Sequence, residues 1–260
     1  MNVTPRARAD AAQLVLDTNR VEPCDIRFVP DLLHPQNQHL SRALAGRDGL
    51  VVTTPTVMEL FGDRLTTLIA TQNLRLEVRV IETQDPVGKG EHKTLGSVER
   101  VIALAKAADV SRNSVLIGFG GGVCTDIVGM AAGLIRRGIV HFRIPTTLIG
   151  QIDAGVGLKC GVNFGGKKNY LGLFNAGEQV LIDPGFLRTL PANFIQEGIA
   201  EMIKMAIICS KSLFEELEIL AQHRRHMDGD ALATHHYGAI FDAADLMVRQ
   251  LQENPYERDT

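Results

Sequence analysis

A run of glycines, Gly118-Phe119-Gly120-Gly121-Gly122, follows an apolar stretch from Ser114 to Phe119 and leads through Val123-Cys124-Thr125-Asp126 into a helical pattern. Glycines let a backbone approach an anion closely, and a helix start offers unpaired N–H groups and a partial positive charge. That spacing suits the grip on a nucleotide pyrophosphate, with a strand-to-helix turn and a solvent-facing Asp126 as the plainer alternative. Pro145 ends another apolar run, so the hydroxyls of Thr146 and Thr147 are expected at the carboxyl edge of a sheet, where open α/β folds bind ligands. Asp153, Lys159, Lys168 and Asn169 follow in a glycine-dense stretch with little secondary-structure character. Its lysines and the amides of Asn163 and Asn169 suit phosphate and sugar hydroxyls. Taken without its flanks, the same stretch reads equally well as a solvated surface loop. Glu201 lies in a mostly apolar helical segment with Lys204 three residues on. The pair is either a local ion pair worth a few tenths of a kcal/mol or a carboxylate metal ligand beside a substrate-binding lysine.

The elements that must position these groups are legible from periodicity. Asp25–Val29, Leu50–Val52, Leu74–Ile81, Ser114–Phe119, Val140–Ile144 and Val180–Ile182 read as strands. Val57–Ala70, Leu95–Ala108 and the segment after the glycines read as helices between them. Alternation of this kind predicts a Rossmann-like parallel sheet covered on both faces. Beyond Pro191 the period is helical, over Phe194–Ile208, Ser212–Gln222 and Ala231–Leu251. The expected class is therefore α/β: an N-terminal parallel-sheet domain over residues 1–185, then an all-α domain over 186–260 that reads as truncated. Outside the Asp25–Val29 strand, residues before Gly49 read as loosely structured.

With 260 residues, 45% hydrophobic and 22% charged, the chain has an ordinary globular composition. The net charge of −3 and the lack of a basic tract argue against a nucleic-acid partner. Cys24, Cys124, Cys160 and Cys209 lie far apart, which suits reduced thiols. The apolar runs are too short for a membrane span and no leader pattern is visible, so a cytoplasmic location is the expectation. His223, His226, His235 and His236 show no metal-binding spacing and read as surface residues.

Taken in order, GGGVCTDIVG, RRGIVHFRIPTTLIGQIDAGVGLKCGVNFGGKKNYLG, LIDPGFLRTLP and GIAEMIK resemble the sugar phosphate cyclase superfamily, of the dehydroquinate synthase type. The DAGVG, GVNF and KKNxLG segments resemble its sedoheptulose 7-phosphate cyclases, the 2-epi-5-epi-valiolone synthases above all. The resemblance is close over residues 114–208 and looser over 49–113. It implies an enzyme that uses NAD and Zn2+ (or Co2+) to oxidise a secondary alcohol of a phosphorylated seven-carbon sugar, eliminate phosphate, re-reduce the ketone and close a carbocycle by intramolecular aldol addition, with no net redox change.

By motif, the resemblance assigns Gly120, Gly121, Gly122 and Asp126 to the NAD pyrophosphate and ribose. Thr146, Thr147, Lys168, Phe186, Thr189 and Leu190 would line the rest of the cofactor site. Glu91 and Lys93 match a Glu-x-x-Lys cofactor contact with one residue missing. Asp153, Lys159, Asn169 and Lys204 would contact the sugar phosphate, and Glu201 would be a metal ligand. Arg137 would reach a neighbouring subunit's phosphate site, which implies a homodimer. Four departures bear on cofactor affinity and substrate: Thr53-Thr54-Pro55-Thr56 replaces the usual ribose-binding aspartate, the Glu91–Lys93 motif is short, Cys160 stands for threonine, and Tyr170 for the arginine of the valiolone synthases. Further zinc ligands of the family fall beyond Thr260. The alternatives are a 3-dehydroquinate synthase, a glycerol dehydrogenase-type enzyme, against which the KxGVNxxxKKN loop argues, and an inactive NAD-binding remnant.

Overall fold

The computed structural model describes residues 4–8, 11–15, 23–83, 92–222 and 228–256. In chain order its elements are β1 (Thr4–Arg8), β2 (Ala11–Val15), β3 (Asp25–Phe28), α1 (His39–Leu44), β4 (Gly49–Thr53), α2 (Pro55–Thr71), β5 (Leu76–Val80), α3 (Leu95–Ala107), β6 (Val115–Gly120), α4 (Gly122–Leu134), β7 (His141–Pro145), β8 (Lys159–Phe164), β9 (Lys167–Phe174), β10 (Gln179–Ile182), α5 (Ala192–Cys209), α6 (Lys211–Gln222), α7 (Gly229–His235) and α8 (Tyr237–Glu253). The region before Gly49 carries more structure than its sequence suggests, a β1–β2 hairpin and the short helix α1 among it.

Six strands form one parallel sheet in the order β3-β10-β7-β6-β4-β5. Both faces are covered, and the strands show it residue by residue. Val51, Val115, Ile117 and Phe119 point into a core shared with α1 and α2, whereas Leu50, Val52 and Leu116 point into a core shared with α3 and α4. Because neighbouring positions serve opposite cores, these strands are unbroken apolar runs rather than alternating ones. The ladders pair Thr53 with Phe119 and Gly120 with Pro145, so β4, β6 and β7 end nearly level. The sequence-consecutive β4 and β5 lie on one side of β6, and β7 and β10 on the other. This reversal puts a crevice at the carboxyl ends of β4 and β6, the place where doubly wound sheets hold ligands.

The C-terminal helices pack around a separate core of Ile195, Met202, Leu213, Leu217, Leu232 and Ile240, which also takes in Leu148, Ile152 and Leu187. The helix read over Ala231–Leu251 is two helices. Asp228 caps α7 by accepting from the Ala231 amide, and the chain breaks helical geometry at His236 before α8.

Candidate functional site

The glycine turn takes the expected place between β6 and α4. Gly121 is the N-cap, extended at φ −71° and ψ 177°, and no side chain caps the helix. The amides of the first turn have no intrahelical acceptor, so they are open to an anion. Glycine is needed here for close approach: a Cβ on Gly121 would lie 3.0 Å from Thr147 Cγ2, and one on Gly122 would lie 3.1 Å from Ala154 Cβ. The Thr146 amide donates to the Gly120 carbonyl at 3.0 Å, which ties the two strand ends together. Thr147 caps the segment that follows, its Oγ1 accepting from the Gly150 amide at 3.2 Å. Across the crevice, Thr53 Oγ1 donates to the Phe119 carbonyl at 2.8 Å and Thr54 caps α2.

Residues Gly150–Ala154 form one π-helical turn, a geometry that sequence periodicity does not signal. It carries Asp153 to the rim of a cavity. The stretch after it, expected to be a loop, is instead the β8–β9 hairpin. Gly165 (φ +56°) and Gly166 (φ +77°) supply its two-residue turn, which needs positive φ at both positions. Glycine density misled the sequence reading because these glycines close a hairpin. The register slips between Val162 and Phe164, and the extra β9 residues bulge around Asn169, itself at φ +49°. The Asn169 amide donates to Asn163 Oδ1 at 3.0 Å, and the Asn163 amide donates to the Lys93 carbonyl at 2.8 Å. The bulge is thereby fastened to the N-terminal end of α3.

Lys93 joins the two halves of the site. Its ammonium makes an ion pair with Asp126 and donates to Asn169 Oδ1 at 2.7 Å. Both partners of the ion pair are largely buried, with 14% of each side chain exposed. Burial raises the Asp126 carboxyl above its ordinary value, and the Lys93 charge and hydrogen bond oppose that rise.

A cavity of about 330 Å³ is lined by Asp126, Asp153, Lys159 and Asn169 on the sheet side, and by Glu201, Lys204, Met205, Cys209, Met247 and Gln250 on the helical side. Glu201 and Lys204 form the i,i+3 ion pair on α5. Gln250 Nε2 donates to Cys209 Sγ at 2.6 Å, joining α8 to the end of α5. Met247 and Gln250 have no sequence signature as site residues; only the packing of α8 against the π-turn brings them in.

Six of the expected site residues therefore share one cavity: Asp126, Asp153, Lys159, Asn169, Glu201 and Lys204. Gly120, Gly121, Gly122, Thr146 and Thr147 form the adjoining turn. Phe186 is placed in the core. Its ring is 1% exposed and packs against Phe61 and Phe119 at centroid distances of 4.9 and 5.4 Å, so the side chain belongs to the core and only its backbone is left for a cofactor. Thr189 and Leu190 close the 3-10 turn after β10, with Thr189 Oγ1 donating to the Phe186 carbonyl at 3.2 Å. Lys168 is exposed on the hairpin. Arg137 lies at the opposite end of α4 from the glycine turn, exposed and at φ +70°; the hollow of about 390 Å³ at that end contains none of the expected residues. Glu91, His223 and His226 fall outside the described residues. Among the described residues no group of three or more histidine, cysteine, aspartate or glutamate side chains is arranged to hold a metal ion. Among the described residues the donor set around Glu201 does not fit a zinc site, which needs at least three protein ligands. No helix among the described residues is long and apolar enough to cross a membrane.

The family profile of the 3-dehydroquinate synthase N-terminal region matches residues 86–197. The 2-epi-5-epi-valiolone synthase of Streptomyces glaucescens is 39% identical over 225 residues, covering 86% of this chain and 56% of that protein. The 3-dehydroquinate synthase of Wolinella succinogenes is 45% identical over 170 residues, covering 65% of this chain and 47% of that protein. Among solved structures, ValA, a 2-epi-5-epi-valiolone synthase from Streptomyces hygroscopicus subsp. jinggangensis 5008 with NAD+ and Zn2+ bound, superposes with a TM-score of 0.83 at 36% identity, over 94% of this chain and 66% of that one. The chain spans about half the length of the curated relatives it matches.

Proposed function

The chain belongs to the sugar phosphate cyclase superfamily, of the dehydroquinate synthase type, and from that premise we propose that it is the NAD-binding part of a lyase converting sedoheptulose 7-phosphate to a C7 cyclitol of the 2-epi-5-epi-valiolone kind. The observation that carries the reading is the cavity that brings Asp126 of α4 together with Asp153, Lys159, Asn169, Glu201 and Lys204, its Ala154 wall lying against Gly122 of the glycine turn. Residues 1–185 are the cofactor-binding unit and 186–260 the helical wall of the substrate site. The fit for NAD is physical: open first-turn amides, and two glycines that any side chain would push against Thr147 or Ala154. When bound there, NAD supplies reversible oxidation of a secondary alcohol.

The chain's own groups do the rest. Lys159 on β8 and Lys204 on α5 approach from different walls and neutralise a phosphate as it leaves. Asn169, held by Lys93, offers its carboxamide to sugar hydroxyls. Asp153 and Asp126 are the carboxylates in reach for orienting hydroxyl protons. Glu201, the residue that the resemblance offers to a metal, stands on the same wall, ion-paired with Lys204. Arg137, far from its own cavity, is the residue offered to a second copy in a homodimer.

The cavity is lined by three carboxylates, Asp126, Asp153 and Glu201, and two lysines. The second reading, a 3-dehydroquinate synthase, draws on the Wolinella relative. Incubation with sedoheptulose 7-phosphate or the heptulosonate 7-phosphate, with NAD and Zn2+ or Co2+, separates the two by inorganic phosphate release. Release from the neutral sugar without accumulation of NADH would establish the first reading. Release only from the heptulosonate would establish the second reading, and NADH accumulation would refute both.

A further inference from the structure

Arg143, on the central strand β7, is 1% exposed, yet it is an arginine. Its guanidinium Nη1 donates to the Gly155 carbonyl at 3.2 Å and to the Gly157 carbonyl, and Nη2 donates to the Asn175 carbonyl at 2.7 Å and to Cys160 Sγ at 3.1 Å. Nε has no partner. Taking a cation out of water costs several kcal/mol unless its donors are met, and here backbone carbonyls meet most of them. The location of those carbonyls gives the contact its meaning. Gly155 and Gly157 lie between Asp153 and Lys159, and Asn175 closes the hairpin that presents Asn169. The Asn175 amide donates to the Leu158 carbonyl at 2.8 Å and its Nδ2 to the Gly129 carbonyl of α4, also at 2.8 Å. One planar fork thus reads both edges of the segment that carries the substrate-facing side chains, a task that a point-charged lysine cannot reproduce.

We propose that Arg143 is a positioning residue of the sugar phosphate site: by clamping the carbonyls of Gly155, Gly157 and Asn175, it fixes Asp153 and Lys159 relative to each other and to the hairpin bearing Asn169. The inference rests on the proposed function for what is positioned, but the clamp is testable apart from turnover. The experiment compares the full chain with Arg143→Lys and Arg143→Gln. It measures backbone hydrogen exchange by segment, NADH affinity by fluorescence, and phosphate release from sedoheptulose 7-phosphate. Exchange over residues 155–163 should rise at least about tenfold while β4 and β6 keep their protection. NADH affinity should change by less than about threefold, and kcat should fall by about 10- to 100-fold, the loss typical of a misplaced reacting group. Unchanged exchange over 155–163 would overturn the proposal. Loss of protection across the whole sheet, or failure of both variants to fold, would overturn it as well, since Arg143 would then serve the fold alone. Silence of the unsubstituted chain towards sedoheptulose 7-phosphate would bear on the cyclase reading alone, and the local exchange pattern still upholds or overturns the clamp.

Discussion

Replacing Lys93 by methionine keeps most of the side-chain volume and removes the charge that faces Asp126 and Asn169. Breaking a fully buried ion pair from one side costs about 3–5 kcal/mol, because the other charge stays behind unpaired. Both side chains retain 14% exposure, so water can reach the carboxylate in part, and about 2–3 kcal/mol is the reasoned loss at neutral pH. The sign of the pH dependence follows from Asp126. Its folded pKa already lies above the ordinary 3.8 through burial, so the native state holds that proton more tightly than the unfolded state does. A raised pKa gives stability at low pH that is lost as pH rises through the folded value. Lys93, through its charge and hydrogen bond, limits that rise most, with a smaller contribution from Arg143. In Lys93→Met the folded pKa climbs further, and the penalty should be full above that new value and fade as pH falls towards 3.8. Urea titrations followed by far-UV circular dichroism between about pH 4.5 and 8 would read this, the chain having no tryptophan. Adding Asp126→Asn to Lys93→Met should recover most of the loss at pH 7 and flatten the profile. A pH-independent loss, or a double variant as unstable as Lys93→Met alone, would refute the electrostatic reasoning.

Other perturbations test the packing around the site. A Cβ on Gly129 would overlap Cys160 Sγ and lie 3.4 Å from Cys160 Cβ, so Gly129→Ala should cost about 1–3 kcal/mol in urea despite its better helix propensity. The same change in a Cys160→Ala background should be near neutral; additive losses would show that the contact between α4 and β8 is not the cause. Gly122→Val should weaken NADH binding at least about tenfold in a fluorescence titration and lower Tm as well, since its side chain presses on Ala154 at the open end of α4; unchanged affinity would place the dinucleotide elsewhere. Thr54→Ala removes the cap on the Val57 amide and should lower stability by about 1 kcal/mol, read as a shift in the urea midpoint, with NADH affinity kept.

The sequence by itself determined the parallel sheet, its covering helices and the glycine turn, because each rests on local rules. Buried parallel strands are apolar runs, amphipathic helices repeat every 3.6 residues, and a pyrophosphate grip needs glycines between strand and helix. It also named six residues that meet in one cavity, Asp126, Asp153, Lys159, Asn169, Glu201 and Lys204. Tertiary structure alone decided the rest. The glycine-rich stretch after Asp153 became a hairpin because Gly165 and Gly166 turn the chain with positive φ and β9 bulges to meet Lys93, a partner 76 residues away in sequence from Asn169. Phe186 went to the core because Phe61 and Phe119 leave it an apolar niche. Met247, Gln250 and the clamp of Arg143 were invisible beforehand for a common reason: each acts through contacts between segments far apart in the chain, and no local pattern records which carbonyl a distant guanidinium will face.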